Sequence, residues 1–276
     1  MSRIETLSEF ERVSELASKF LYCGSLVADL PFKKCDTVRK EHRKIGLGLM
    51  GVHEWLIKRG HDYRVVPELH EWLQAYEHFS KAGADEVSES SGGSKCGRYR
   101  AVAPAGTISI LAGTTSGIEP IFSLATKRRY LDKTQKWAEE YYIDPVAVAL
   151  NQQGIDITGV ETSYVLSKNI EKRIAFQADL QEYVDMGISS TVQLPRWEGK
   201  QADYDRVDEV ANLLKKYCTR LKGITFFPDG SRGGQPLTEV SIEEAKAWIC
   251  KHDAECSLES IEESANAGCK SGVCGI

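Results

Sequence analysis

The sequence predicts an α/β fold, because amphipathic helical segments alternate with short strand-like segments along its 276 residues. Apolar residues recur at helical spacing in the first such segment, residues 3–22. Two short apolar runs that end in proline, STVQLP (190–195) and GITFFP (223–228), predict strands, the first of them buried. A hydrophobic content of 42% is enough for one large core or two small ones.

The remaining elements follow from the same two patterns, and the composition of SESSGGSKCG (88–97) predicts a flexible connection. Apolar residues three and four positions apart predict further helices over 47–59, 67–82, 134–153, 168–186, 204–221 and 242–251. RYRAVAP (98–104) alternates large and small residues as a short strand does. The chain is therefore divided into a main unit, 1–240, and a tail, 241–276.

The stretch IGLGLMG (45–51) matches the G-x-G-x-x-G pattern of dinucleotide-binding turns. That pattern is meaningful only between a strand and a helix, and the preceding CDTVRKEHRK (35–44) is too polar and basic for a buried strand. We therefore expect a packing role, in which Gly46, Gly48 and Gly51 let the start of a helix pass close to neighbouring backbone.

Charge and hydropathy exclude several classes of partner. The net charge is -5 and the basic clusters are short, so no nucleic-acid partner is expected. No apolar run is long enough to span a bilayer, and the amino terminus lacks the apolar region of a signal peptide. The sequence predicts a cytoplasmic protein without a membrane partner.

The cysteines and histidines divide into scattered and clustered residues. Four scattered cysteines are expected to pack in the core: Cys23, Cys35, Cys96 and Cys218. Four histidines are expected at the surface or at helix caps: His53, His61, His70 and His78. No His-x-x-x-His pair has a third ligand, so no metal site is predicted.

The acidic, small-residue segment AECSLESIEESANAG (254–268) predicts a mobile tail. It ends in Cys269 and Cys274, which can meet across four residues and exchange with an external reductant. A zinc site with Cys250, His252 and Cys256 is the alternative, but its spacing is irregular. The redox interpretation is favoured over zinc, and inert thiols remain the third possibility.

The segment AVAPAGTISILAGTTSGIEP (101–120) contains a break in a predicted strand at Pro104 to Gly106. Backbone amides and the hydroxyls of Thr107 and Ser109 would meet there and form an anion cradle. No lysine follows the glycine, so a bound phosphate would be held and not transferred. An ordinary strand-to-helix turn with capping hydroxyls is the alternative, and both stay open.

Taken together, five segments resemble the carboxy-terminal part of ribonucleotide reductase catalytic subunits, most closely the adenosylcobalamin-dependent kind. They occur in the family's order: RKIGLGLMG (43–51), PAGTISILAGTTSGIEPIF (104–122), QEYVDMGISSTVQLP (181–195), LKGITFFPDGSR (221–232) and CKSGVC (269–274). The resemblance implies the second half of the ten-stranded α/β barrel of these enzymes, with a flexible carboxy-terminal tail.

The same resemblance implies roles for particular residues. The phosphates of the ribonucleotide substrate would be held by Ala105, Gly106, Thr107, Ile108 and Ser109. Cys269 and Cys274 would be the tail dithiol that re-reduces the active site after each turnover, itself reduced by a thioredoxin-like protein.

Two departures from the family pattern shape the functional hypothesis. Where radical-subunit-dependent relatives carry adjacent tyrosines, this strand reads Thr225-Phe226-Phe227, which favours a radical generated in place by adenosylcobalamin. The family's thiyl-radical cysteine, its Asn and Glu partners and the active-site cysteine pair all lie upstream of the matched region.

We therefore expect a split reductase, inactive alone, that binds adenosylcobalamin together with a separately encoded amino-terminal half. A non-catalytic remnant that binds nucleotide phosphates or partners is the alternative. A fragment of a longer chain is a third possibility.

Overall fold

The computed structural model describes residues 1–231 and 235–252, and it confirms the predicted α/β class. In chain order the described elements are α1 (Leu7–Val27), α2 (Lys33–His42), β1 (Lys44–Leu47), α3 (Val52–Lys58), α4 (Pro67–Ser90), β2 (Arg98–Arg100), α5 (Gly106–Ala112), β3 (Ala125–Leu131), β4 (Trp137–Ile143), α6 (Pro145–Gln152), α7 (Ser163–Leu166), α8 (Ile170–Gln181), β5 (Thr191–Leu194), α9 (Gln201–Tyr217), β6 (Thr225–Pro228), β7 (Leu237–Glu239) and α10 (Ile242–His252).

Four of the strands run parallel. β1 pairs with β2, and β5 pairs with β6. A parallel bridge between Val102 and Ile188 joins the end of β2 to the segment that leads into β5. The carboxyl ends of these strands therefore face one edge, which is where ligands bind in open α/β sheets.

The main core lies between these strands and helices α1, α3, α4 and α8. Trp55, Leu69 and Phe176 are almost fully buried in it. Aromatic rings meet closely across it, with the Phe10 and Trp72 ring centroids 4.9 Å apart. A second cluster packs α8 and α9 against β5 and β6. Burial of large aromatic and aliphatic side chains supplies most of the stability of such a core.

The end of β2 is fixed by a buried charge network. Arg100 is 5% exposed, and its Nε donates to the Tyr183 carbonyl at 2.7 Å. The Asp185 carboxylate accepts the backbone amides of Tyr99 and Arg100 at 2.9 and 2.7 Å. Because both partners are hydrogen-bonded, the Arg100 charge can be buried beside the partly buried Asp185, and β2 enters the following loop from a fixed position.

The glycine-rich stretch corrects one prediction. The polar run before the motif forms helix α2 up to His42, as its lack of a strand pattern indicated, but a short strand, β1, begins at Lys44 and runs into the motif. Helix α3 begins only at Val52, so the predicted helix start at residue 47 is wrong. One inward residue, Ile45, is buried at 6% exposure while Lys44 is exposed, so a four-residue strand needs little apolar sequence.

The expected close approach is confirmed for Gly48 and Gly51, although it occurs at the end of a strand and at a helix cap, but not for Gly46, where a Cβ would make an ordinary contact 3.5 Å from Ala101 Cβ. A Cβ on Gly48 would lie 2.9 Å from the Ala101 carbonyl oxygen. Gly51 has a φ of +76°, and a Cβ there would lie 2.5 Å from Thr114 Oγ1. A side chain at either position would collide with its neighbours, so both glycines are required for packing.

The predicted helix over 134–153 is also wrong in its first half. Trp137–Ile143 forms strand β4, paired antiparallel with β3 from Ala125↔Ile143 to Leu131↔Trp137. Ala125 is fully buried, and Tyr141 of β4 stacks on Trp248 of α10 with ring centroids 5.2 Å apart. This long-range packing overrides the local pattern. The helix starts at Pro145, behind an Asp144 cap.

The cysteine and histidine predictions are confirmed only in part. Cys96 is buried as expected, but Cys23, Cys35 and Cys218 are exposed. Cys23 and Cys35 lie on the outer sides of α1 and α2, and Cys218 directly follows α9. His53 is 1% exposed and is not a surface residue. Cys269 and Cys274 lie outside the described residues. Within residues 1–231 and 235–252, no group of His, Cys, Asp and Glu could hold a metal ion, and no helix has the length and apolarity to cross a membrane.

Candidate functional site

The predicted phosphate loop follows β2 at the carboxyl edge of the parallel strands. Ala105 has φ 54° and ψ 27°, a left-handed conformation that is rare for a residue with a Cβ, and α5 starts at the next residue. The Ser109 amide donates to the Ala105 carbonyl at 2.9 Å, and the Ser116 hydroxyl donates to the Pro104 carbonyl. These hydrogen bonds hold a sharp turn between strand and helix.

The first turn of α5 is exposed. The first N–H groups of a helix have no intrahelical partner, and Gly106, Thr107 and Ile108 are all exposed. A Cβ on Gly106 would meet nothing within 4 Å, and its φ is not positive. Neither the backbone nor the packing requires a glycine at this position. Its small size leaves open the space through which an anion would reach these amides.

The two predicted hydroxyl groups do not share one environment. Thr107 is exposed beside the first amides of α5, as the cradle requires. Ser109 is 4% exposed, and its hydroxyl donates to the Gly106 carbonyl at 2.8 Å. The expectation that Ser109 presents a donor at the surface is therefore wrong. A serine in the first turn of a helix bonds back to the backbone, and here that bond fixes the turn.

The segment that returns from α5 is tied to helix α3. The Gly51 amide donates to the Thr115 carbonyl at 2.8 Å, and the Thr114 hydroxyl donates to the Glu54 carboxylate. Glu54 in turn pairs with Lys58 at 2.7 Å. The segment after α5 is thus anchored to buried groups of α3, and the loop is held on this base.

Glu119 and Arg173 form a second anchor that the sequence did not indicate. Arg173 is 2% exposed, and its Nη2 lies 2.6 Å from Glu119 Oε2. Glu119 Oε1 accepts the Thr191 amide of β5 at 2.7 Å. The guanidinium also donates to the Ser190 hydroxyl and lies 5.4 Å from the centre of the Tyr63 ring. The pair therefore joins α8, β5 and the segment after α5. A charged residue inside the apolar run GIEPIF was the available signal.

His53 closes this cluster from α3. Its Nδ1 accepts the Ile121 amide at 2.9 Å. Burial, and to a smaller extent the positive charge of Arg173, lowers the pKa of His53 to about 3. The imidazole is therefore neutral at physiological pH, with its proton on Nε2. Its role is to hold the segment after α5.

We expect His53 to make the protein sensitive to acid. The unfolded histidine titrates near pH 6.5 and the folded one near 3, so the unfolded state binds the extra proton below pH 6.5. The free energy of unfolding should fall by roughly 1.4 kcal/mol per pH unit between about pH 6 and 4. His53→Asn keeps an acceptor for the Ile121 amide but does not titrate, so it should lack this decline.

Urea denaturation of both proteins across this pH range measures the difference. The comparison cancels other groups, such as Asp144, whose pKa is raised by burial to about 6. Parallel pH profiles for the two proteins would show that His53 is not the responsible group.

A second concavity lies at the same edge, beyond β5 and β6. It encloses about 310 Å³, and its polar lining includes Tyr164, Lys168, Arg196, Asp229 and Glu239. The Tyr164 hydroxyl donates to the Asp229 carboxylate at 3.1 Å. β6 itself carries Phe226 and Phe227, both partly buried. No phenolic hydroxyl is present at these two positions of the strand.

Comparison with known proteins defines the class to which this fold and loop belong. Residues 2–79 and 68–227 match the family model described as "Ribonucleotide reductase, barrel domain". The chain therefore belongs to the ribonucleotide reductase barrel-domain family, as the resemblance indicated.

Several curated relatives depend on vitamin B12. A vitamin B12-dependent ribonucleoside-diphosphate reductase of Mycobacterium tuberculosis (strain CDC 1551 / Oshkosh) is 29% identical over 284 residues, covering 90% of this chain and 40% of that protein. A protein of the same name from Thermoplasma acidophilum is 29% identical over 277 residues, which cover 86% of this chain and 35% of that protein. The adenosylcobalamin-dependent ribonucleoside-triphosphate reductase of Euglena gracilis is 24% identical, covering 98% and 38%. The chain thus spans about two fifths of the length of these relatives.

Solved structures agree on the fold. A crystal structure of a B12-dependent (class II) ribonucleotide reductase superposes with a TM-score of 0.67 at 19% identity, covering 95% of this chain and 40% of that one. The class Id ribonucleotide reductase alpha subunit of Actinobacillus ureae gives 0.53 at 17% identity, covering 79% and 46%. The predicted barrel fold is confirmed, and the predicted resemblance to the B12-dependent kind is confirmed by the relatives.

Proposed function

We propose that this chain supplies the substrate-phosphate loop of an adenosylcobalamin-dependent ribonucleotide reductase, which converts ribonucleoside di- or triphosphates to deoxyribonucleotides. The observation that carries this proposal is Gly106. It is an exposed glycine that neither its backbone angles nor its neighbours require, placed before free amides at the carboxyl edge of the barrel strands. The chain belongs to the reductase barrel-domain family, and a loop at this position of such a barrel would have a nucleotide substrate to hold.

Each residue of the loop has a separate part in this proposal. The amides of Gly106, Thr107 and Ile108 donate to phosphate oxygens, and the Thr107 hydroxyl adds one further donor. Ala105 sets the left-handed bend that directs these amides outward, and Ser109 fixes the bend from inside. No lysine lies within residues 104–122. The loop therefore orients a phosphate without activating it for transfer.

The residues of β6 bear on how a radical could reach the active site. Phe226 and Phe227 cannot lose a phenolic proton, so β6 offers no tyrosine pair for a radical relay from another subunit. Adenosylcobalamin, when bound, supplies the radical inside the enzyme. The names of the relatives support this cofactor. We assign its binding to the assembly of this chain with an amino-terminal half.

The remaining machinery is proposed to come from partners. A separately encoded amino-terminal half would contribute the radical cysteine, its Asn and Glu partners and the reducing cysteine pair, and would complete the barrel. Cys269 and Cys274 would carry reducing equivalents from a thioredoxin-like protein to that site. The chain spans about two fifths of the length of these relatives.

Gly106→Ala is expected to weaken phosphate binding while leaving the fold intact. The added methyl group meets no protein atom, so the melting temperature should stay the same or rise slightly. The same methyl group stands in the path to the amides. Titration of the ¹⁵N-labelled chain with pyrophosphate should shift the amide resonances of residues 106–108, and we expect roughly fivefold weaker binding in the variant, about 1 kcal/mol.

Gly159→Ala is the matched control, because a Cβ there also meets nothing within 4 Å. It should bind pyrophosphate like the wild type. If the wild-type amides of residues 106–108 do not respond to millimolar pyrophosphate, the phosphate-loop assignment is wrong.

A further inference from the structure

Helix α1 carries apolar residues on its outer face as well as on its inner face. Val13, Leu16, Phe20 and Val27 are 37%, 61%, 76% and 82% exposed, and the exposed Cys23 lies between the last two. Their spacing alternates three, four, three and four residues, which places them in one straight stripe. We call these five residues the outer stripe.

The outer stripe is separate from the face that holds α1 in the fold. Phe10, Ser14, Ser18 and Tyr22 are the buried residues of the helix, and α1 packs against α4. At 100° per residue this inner face is centred roughly 160° away from the outer stripe. The stripe therefore contributes nothing to the packing of α1 on α4. Four large apolar side chains in a row on an exposed helix face indicate an interaction surface.

Gly24 is an independent sign of a partner. It lies inside a 21-residue helix, where glycine costs about 1 kcal/mol relative to alanine. A Cβ at this position would meet nothing within 4 Å, and its φ is not positive. No feature of the described chain requires this glycine. Glycine and alanine beside an apolar stripe allow a second helix to approach closely, and Ala17 lies about two turns before Gly24 on the same side.

We propose that the outer stripe pairs with the outer stripe of a second copy of this chain, with the two α1 helices antiparallel. When facing residue numbers add up to 43, Leu16 packs against Val27 and Phe20 against Cys23 of the second copy. Large residues then face smaller ones, as helix packing prefers. The pairs on the two flanks are offset by two residues from these central pairs, in opposite directions, so their numbers add up to 41 and 45. Ala17 faces Gly24 along one flank, which lets the backbones approach. A parallel pair would place Leu16 on Leu16 and Gly24 on Gly24, and would leave a gap.

The charges on α1 are compatible with this register. On the other flank Lys19 faces Leu26, whose side chain its aliphatic stem can cover. The Lys19 ammonium is already neutralised by Glu15 and Glu86 of its own chain, at 2.6 and 2.9 Å. No like charges face each other along the stripe. The pair would bury on the order of 1,000 Å² in total, the lower end for a specific interface, so we expect a dimer of modest affinity.

The molar mass of the purified full chain tests the pairing. Light scattering should give twice 30.7 kDa at high concentration, and Phe20→Glu should halve this mass without changing the circular dichroism spectrum. Leu131→Glu, at a half-exposed residue of β3 away from the stripe, should leave the mass doubled. A wild-type chain that stays monomeric at all concentrations would overturn the proposal. This holds even if that monomer uses the outer stripe to bind a reductase amino-terminal half.

Cross-linking tests the antiparallel register. In a Cys23→Ser background, the Leu16→Cys, Val27→Cys double variant should form an intermolecular disulfide between residues 16 and 27 on mild oxidation. Trypsin places these residues on different peptides, because it cuts after Lys19. Links of 16 to 16 and 27 to 27 would overturn the antiparallel arrangement, and so would the absence of any link in a dimer.

Discussion

Replacing Arg173 with methionine is expected to lower the free energy of unfolding by about 3 kcal/mol or more, because the substitution breaks a buried ion pair from one side. Glu119 would keep its contact with the Thr191 amide but lose its cation. The Ser190 hydroxyl would lose its donor, and methionine offers no replacement hydrogen bond. Urea denaturation at neutral pH measures the loss.

Lys216→Met is the matched control, since Lys216 also pairs with a glutamate but is 61% exposed. Its removal should cost less than about 1 kcal/mol. The Arg173 variant should also lose the pyrophosphate response at residues 106–108, because the segment after α5 is no longer held against β5. Equal and small losses in both variants would show that the Glu119–Arg173 pair does not anchor the site.

Replacing both Cys269 and Cys274 with serine is expected to abolish continuous turnover in the assembled reductase. Reduction of one ribose takes two electrons from a dithiol, which becomes a disulfide. The tail pair would then reduce that disulfide by thiol–disulfide exchange and receive new electrons from a thioredoxin-like protein. Without the tail thiols, the enzyme should form about one deoxyribonucleotide per active site and then stop.

Counting product per active site in the presence of the protein reductant gives the result directly. Cys218→Ser removes an exposed cysteine elsewhere and should leave continuous turnover intact. Undiminished turnover in the tail variant would reject the redox role. It would then favour inert tail thiols, as the non-catalytic alternative expects.

The sequence predicted the fold class, most helices and the position of the loop, because these features depend on local periodicity and on proline and glycine. It did not predict β4 (Trp137–Ile143), since this strand is defined by its pairing with β3, and the sequence of β3 shows no clear strand pattern. It also did not predict that Ser109 turns inward, because one hydrogen bond to Gly106 decides its direction.

The anchor of the loop was beyond reach for a related reason. Glu119 and Arg173 are 54 residues apart in the sequence and meet only through the packing of α8 against β5. The role of His53 likewise depends on an amide 68 residues away. Contacts of this kind are fixed by tertiary packing, which a single sequence does not display. The loop itself could be predicted, but the rigid base that holds it could not.

The most direct test of the central claim is deoxyribonucleotide formation by this chain mixed with an amino-terminal reductase half that carries the family's radical and reducing cysteines. We expect product only when both polypeptides, adenosylcobalamin, a reductant and a ribonucleotide are present, and a raised KM for the nucleotide with Gly106→Ala. A folded complex of the two polypeptides that binds the cofactor but forms no product would contradict the account.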